Sequence, residues 1–130
     1  MASPQDLRFT RTHEWVRLDG DVATIGVSDH AQSELGDITY LELPEVGDHV
    51  SQAQPFGIVE SVKAASDVYA PVDGEVVERN EDAIAAPDLV NSSPYDRAWL
   101  VKIRVGDRDQ VEQLMTPTDY DAFAETAATH

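Results

Sequence analysis

Between residues 45 and 82 the chain never runs far without a turn signal. In EVGDHVSQAQPFGIVESVKAASDVYAPVDGEVVERNED the interruptions are Gly47-Asp48, Pro55, Gly57, Pro71 and Asp73-Gly74. Proline removes a backbone donor and fixes φ, and glycine opens left-handed turns, so no helix of ordinary length fits between them. What remains is a series of short apolar runs rich in β-branched residues. Such runs at close spacing build a sandwich or barrel of antiparallel sheets.

The flanks agree with that frame. EWVRLDGDVATIGVSD divides at Asp19-Gly20-Asp21, and Asp-Gly between apolar runs signals a hairpin. SDHAQSELG predicts a short helix over about 29–35, with Ser28 or Asp29 as the N-cap and Gly36 as its left-handed stop. ITYLELP, residues 38–44, reads as a strand with Ile38, Tyr40 and Glu42 alternating against Thr39, Leu41 and Leu43, ended by Pro44. Residues 80–97 are turn-rich with one helical turn, and AWLVKIRV, residues 98–105, returns to strand. In the tail, Asp107 and Gln110 have capping-box spacing. Thr116-Pro117 opens a last helix whose face carries Tyr120, Phe123 and Ala124, with residues 126–130 fraying. The expectation is one domain over 1–130, with a mainly β core over about 7–105 and a helical segment over about 107–126.

Charge narrows the function. The chain has 25 acidic and 9 basic residues, a formal charge of -16. A nucleic-acid or anionic-membrane binder needs the opposite sign. An acidic surface suits partners with basic faces, or simply solubility, and predicts a monomer. No cysteine is present, which excludes a disulfide framework, a thiolate metal site and a cysteine nucleophile. No apolar run reaches transmembrane length and no targeting segment is visible, so a cytoplasmic location is expected.

By its own side chains the protein is a poor catalyst. The histidines, His13, His30, His49 and His130, are scattered without metal-ligand spacing and read as structural or solvated. There is no G-x-S-x-G elbow and no Gly-rich phosphate cradle. Lys63 stands apart. It is one of only two lysines, and the strand-like runs GIVESV and AASDVYAPV converge on it. That pattern sets it at a hairpin tip among small side chains, where its amine is open to a modifying enzyme and, once acylated, becomes a long uncharged stem. An ordinary solvated tip lysine is the competing reading. Lys102, in an alternating strand, has only the bland one. A weak echo, Gly-Asp then Val at 47–50 and Asp-Gly then Val at 73–76, flanks Lys63.

VGDHV, ESVKA and APVDGEV together resemble the lipoyl/biotinyl carrier family, in which two quasi-symmetric halves form a flattened barrel of two small sheets with the modified lysine at a hairpin tip. Val62 and Ala64 depart from the methionines of biotinyl tips, and Val62 from the aspartate of common lipoyl tips. ESVKAASD is similar to one branch, the H proteins of the glycine cleavage system. So are THEWVRLDGDVATIGVSDHAQSELGDITYLELPEVGDHV, PDLVNSSPYDRAWLVKI and the closing YDAFAE, a likeness over about residues 7–125.

That resemblance implies a non-catalytic carrier with lipoic acid attached as an amide to Lys63. Glu60 and Gly74 match positions linked to recognition by the lipoylating enzyme, though a strand-edge charge and a turn glycine would look the same. Glu14 and Asp67 match positions lining a cleft for the loaded arm, where a carboxylate suits a protonated amine. Glu34 stands where some members have histidine. Ala98 in PYDRAW replaces a glycine of P-Y-G-x-G-W, which changes the turn into the last strand. The implied partners are a pyridoxal-phosphate glycine decarboxylase, a folate-dependent aminomethyltransferase, a flavin-dependent lipoamide dehydrogenase and the lipoylating enzyme. The carried group would be the aminomethyl group of glycine. The sequence leaves open a lipoyl donor in lipoate metabolism, and an interaction module whose lysine stays bare.

Overall fold

A computed structural model describes residues 4–128. In chain order it contains β1 (Arg8–Phe9), β2 (Glu14–Asp19), β3 (Val22–Val27), α1 (Asp29–Leu35), β4 (Ile38–Glu42), β5 (His49–Val50), β6 (Pro55–Ser61) and β7 (Ala65–Tyr69). There follow β8 (Gly74–Arg79), α2 (Glu81–Ala85), α3 (Leu89–Ser92), β9 (Val101–Val105), α4 (Asp109–Glu112) and α5 (Pro117–Ala128). The local signals act where expected. Gly20 takes a positive φ of 63° in the two-residue turn between Asp19 and Val22. Ser28 Oγ accepts the Ala31 N–H at 3.1 Å to open α1, and Gly36, at φ 82°, closes it.

The strands form two antiparallel sheets. One has six strands in the order β1-β2-β3-β9-β8-β5, and the other has three in the order β4-β6-β7. The sandwich form of the expectation holds, but the sheets do not close into a barrel, because no strand is shared between them. The echo segments face each other. β5 pairs with β8, matching His49 to Glu75 and Val50 to Gly74. The Gly47 and Val76 N–H groups donate across the junction to Val76 O and Asp48 O, both at 2.8 Å.

Four details differ from the sequence reading. Strict alternation in ITYLE fails, because the β4–β6 register shifts between Ile38 and Tyr40. That irregularity turns both Ile38 and Leu41 inward, leaving Tyr40 and Glu42 exposed. Residues 80–97 hold two short helices, not one turn. The capping box does not form: Asp107 Oδ1 accepts from the Asp109 N–H, while the Gln110 amide turns away to hold Asp73. The expected fraying of 126–130 does not reach the backbone through Ala128, which remains in α5; residues 129–130 lie outside those described.

The core is built from the inward faces. Val16, Ile25, Val72, Val76 and Ile103 form one cluster, and Leu41, Val59, Val68, Val90 and Leu100 another. Phe56 packs against both. A third cluster of Leu7, Phe9, Trp15, Tyr120 and Ala124 seats α5 on the large sheet. Gly26 is required there, since a Cβ at that position would lie 2.6 Å from the Trp15 ring.

One polar chain crosses this third cluster. The Tyr120 hydroxyl lies 2.7 Å from His13 Nδ1 and 2.6 Å from Ser28 Oγ, the same atom that caps α1. A consistent donor order runs from Ala31 N–H to Ser28, from Ser28 O–H to Tyr120, and from Tyr120 O–H to His13, which requires a neutral imidazole. The His30 ring sits 4.8 Å from that of His13, and Glu34 lies 3.6 Å beyond it. Burial, then the neighbouring His30, lowers the His13 pKa, opposed by Glu34.

Because the folded His13 binds its proton less readily than the unfolded one, its contribution to stability falls as pH drops through about 6.5. Replacement His13→Asn, at a site whose φ of 74° asparagine tolerates, is expected to reduce the loss of urea resistance between pH 7 and 5.5. Tyr120→Phe removes both hydrogen bonds and is expected to cost about 1–3 kcal/mol in the same titration at pH 7. An unchanged midpoint for Tyr120→Phe would show that the chain contributes nothing.

Candidate functional site

Lys63 sits on the connection between β6 and β7, and its side chain is exposed. Ser61 organises that turn. Its N–H donates to Ala64 O at 2.7 Å, and its Oγ accepts from the N–H groups of Ala64 at 3.2 Å and Lys63 at 3.4 Å. The Val62 N–H donates to Asp37 O at 3.1 Å, tying the turn to the end of α1. Each backbone donor from 61 to 64 is thus occupied, so the lysine projects from a braced support. Its stem passes Gly36 closely enough that a Cβ there would lie 3.7 Å from Lys63 Cε.

The two lysines differ in what surrounds them. Lys102 Nζ lies 3.8 Å from Glu78 and 5.0 Å from the centre of the Trp99 ring. Among the described residues no carboxylate lies within ion-pair distance of Lys63. An exposed amine on a fixed turn suits acylation, because forming an amide there breaks no ion pair and buries no unpartnered group.

Glu60 is the next-to-last residue of β6, in register with Tyr40 on one side and Ala65 on the other. Gly74 lies elsewhere. It begins β8 on the large sheet, beyond the far end of β7, and pairs with Val50 and Val105. A Cβ at Gly74 would collide with Arg104 O and the Ile103 side chain, so the backbone approach alone demands glycine.

Glu14 is almost fully buried, at 1% exposure. Its Oε1 accepts the hydroxyls of Thr10 and Thr12, each at 2.5 Å, and its Oε2 accepts the Tyr69 N–H at 3.1 Å. Burial raises its pKa, while these donors pull it back. The carboxylate borders a cavity of about 420 Å³ lined also by Phe9, Tyr69, Leu114 and Met115. Asp67 does not share it. It borders a separate groove of about 380 Å³ with Glu42, Asp48, Phe56 and Ile58. Glu34 is on α1, paired with His30 and two residues before Gly36. Thus β7 connects Lys63, Asp67 and the Tyr69 contact to Glu14 along one strand, without gathering the three carboxylates into one pocket.

Ala98 is buried, and its N–H donates to Ser93 O at 3.0 Å; the turn forms without a left-handed residue at that position. Sequence reasoning overlooked the roles of five residues. Ser61 carried a signal, a serine immediately before a tight turn. Thr10 and Thr12 carried none, since nothing local says that Glu14 will be buried. His13 and His30, apart in sequence, meet only in the fold.

The family model for the glycine cleavage H-protein matches residues 7–127. The glycine cleavage system H protein of Halothermothrix orenii is 50% identical over 125 residues, covering 96% of this chain and 98% of its own length. That of Carboxydothermus hydrogenoformans is 49% identical over 122 residues, covering 94% of each. The crystal structure of a glycine cleavage system H protein from Mycobacterium marinum superposes with a TM-score of 0.85 at 32% identity, covering 97% of this chain and 99% of that one. Two-sheet architecture, a braced lysine tip and a sequence likeness that runs along nearly the whole chain lead to one assignment: the chain belongs to the glycine cleavage H-protein family.

Proposed function

We propose that the protein is the lipoyl-bearing carrier of a glycine cleavage system, with lipoic acid in amide linkage to Lys63 Nζ. The observation that carries this reading is the exposed amine, without an ion pair among the described residues, on the Ser61-braced turn of a chain from this family. The group would supply a dithiolane that accepts the aminomethyl group of glycine from a pyridoxal-phosphate decarboxylase and yields it to a folate-dependent aminomethyltransferase. A lipoamide dehydrogenase would restore the disulfide form. The chain does no bond chemistry itself. It presents Lys63 on a fixed turn and keeps the cargo at high effective concentration beside each docked enzyme. With no cysteine, it offers no thiol to compete in disulfide exchange.

Glu14 is the best placed carboxylate to face a protonated amine, because Thr10, Thr12 and Tyr69 hold its oxygens in position beside the cavity. Asp67 and Glu34 add negative charge along the approach from the tip. Glu60 flanks the lysine and would meet the lipoylating enzyme. For Gly74 the close approach to Arg104 supports a role in shaping the fold that this enzyme recognises.

Intact mass of protein from its native source should exceed the sequence mass by lipoic acid less one water, with the increment mapped to Lys63. Replacement Lys63→Arg should remove it and abolish glycine-dependent turnover in the reconstituted system; turnover that survives would refute the carrier reading. Gly74→Ala is expected to lower stability by about 1–3 kcal/mol in urea, from the forced overlap with Arg104 and Ile103. An acylation defect without that loss would instead make Gly74 a direct contact. Given the charge of -16, binding to the decarboxylase should weaken as salt rises from low to physiological strength, and a salt-independent Kd would exclude electrostatic steering.

A further inference from the structure

We infer that Val62 and Tyr40 are recognition residues for the enzyme that acylates Lys63, forming an apolar rim that this enzyme's active-site mouth closes upon. The inference rests on the lipoyl-carrier reading of Lys63. Among the described residues only three large apolar side chains stand well into solvent: Tyr40 at 50%, Val46 at 61% and Val62 at 72%. Two of the three lie at the tip.

Register places them. Tyr40, Glu60 and Ala65 form one row across the small sheet, because Tyr40 pairs with Glu60 and Glu60 with Ala65. That row is the last to span all three strands before the Ser61–Ala64 turn, on which Val62 precedes Lys63. Opposed side chains in such a row stand about 5 Å apart, so Tyr40 and Glu60 form one surface. Neither apolar exposure follows from the needs of the fold. The inward positions of β4 are filled by Ile38 and Leu41, and Tyr40 is outward because of the irregularity between them. The Val62 backbone is pinned by Asp37 O, while its side chain is left in water.

Acylation explains the arrangement. Amide formation requires Nζ to lose a proton and attack the carbonyl carbon of an ATP-activated acyl adenylate, so that the C–N bond forms as the acyl C–O bond breaks and AMP leaves, away from water. An enzyme that accepts an aliphatic acyl chain has a dry, apolar channel, and its rim must seal against the surface around the amine. Val62 and Tyr40 supply that surface, and Glu60, between Tyr40 and Ala65, supplies a carboxylate for a basic group at the rim. Tyrosine is among the residues that dominate such contacts. The bracing by Ser61 and Asp37 means the rim needs little ordering when the enzyme closes.

Val46 serves as an internal control. β4 runs from its Ser61 pairing at Ile38 to its Ile58 pairing at Glu42, away from the tip, and Val46 lies beyond that far end. The test is steady-state loading of the unmodified full-length protein by a purified lipoate ligase with lipoate and ATP, comparing Val62→Ser, Tyr40→Ser and Val46→Ser. Each rim variant is expected to raise KM for the protein about tenfold or more with little change in kcat, while Val46→Ser behaves as the unchanged protein. Non-enzymatic acylation of Lys63 by an N-hydroxysuccinimide ester, and the urea midpoint, should be the same in all four proteins. Equal KM values throughout, an equal defect in all three variants, or a fall in kcat alone would overturn the inference. So would loading at the normal rate with a defect confined to later exchange with the decarboxylase, since that assigns the rim to a different partner. If the unchanged protein is not loaded at Lys63 at all, it is the carrier reading that fails.

Discussion

Strand β6 is the element on which the presentation of Lys63 depends. It is the only strand of the small sheet hydrogen-bonded on both edges, to β4 and to β7. Its inward Val59 is packed into the core at 1% exposure, and its last residue is the serine that folds the turn. Register in a half-buried sheet is set by which residues point inward, since a slip of one residue would expose the buried set. Burying Val59 and Val68 therefore also determines that Lys63 falls on the turn. Gly57 in the same strand permits the close packing that this needs, because a Cβ there would lie 2.5 Å from Glu42 O.

Around that rigid centre the protein treats its charges in two ways. Most carboxylates are outside, unmatched by cations in a chain with 25 acidic and 9 basic residues. Glu14 is the exception, taken inside and supplied with donors from two threonines and one main-chain N–H. A buried carboxylate of this kind is costly unless its oxygens are satisfied. The loop from Thr10 to Glu14 supplies both hydroxyl donors and is closed by the Thr10 N–H donating to Glu14 O at 2.9 Å. Lys63 is the counterpart outside: a cation with no ion pair among the described residues, on a surface rich in acid.

Local chemistry made much of the fold legible. Asp19-Gly20, the Ser28 cap with its Gly36 stop, and Thr116 before Pro117 each act within a few residues, and each formed as read. The exposed tip was legible for the same reason, since two strand-like runs converge on Lys63. Features set by distant partners were not. Nothing near Thr39 announces the β4 irregularity, which arises from fitting Ile38 and Leu41 onto one core face. Gln110 has the spacing to cap its own helix, yet bonds across to the Asp73 main chain. The separation of Glu14 from Asp67 likewise depends on how β7 lies between a cavity and a groove, which no spacing in the sequence records.

The way the two ends of the chain meet has a kinetic meaning. Phe9 and Met115 exchange a pair of backbone hydrogen bonds, both 2.9 Å, across nearly the whole length of the protein. Phe9 also stacks on Tyr120, with ring centres 4.3 Å apart. Contacts so remote in sequence carry a large loop-closure cost and favour late formation, whereas the β6–β7 hairpin closes over only a few residues. On a growing polypeptide the Lys63 turn thus has its own strands available well before the residues that fasten α5 have been made. The presentation of Lys63 and the completion of the fold are therefore separable in time, with the clasp between Phe9 and Met115 as the last joint to set and, by the same economy of contacts, a natural first one to open.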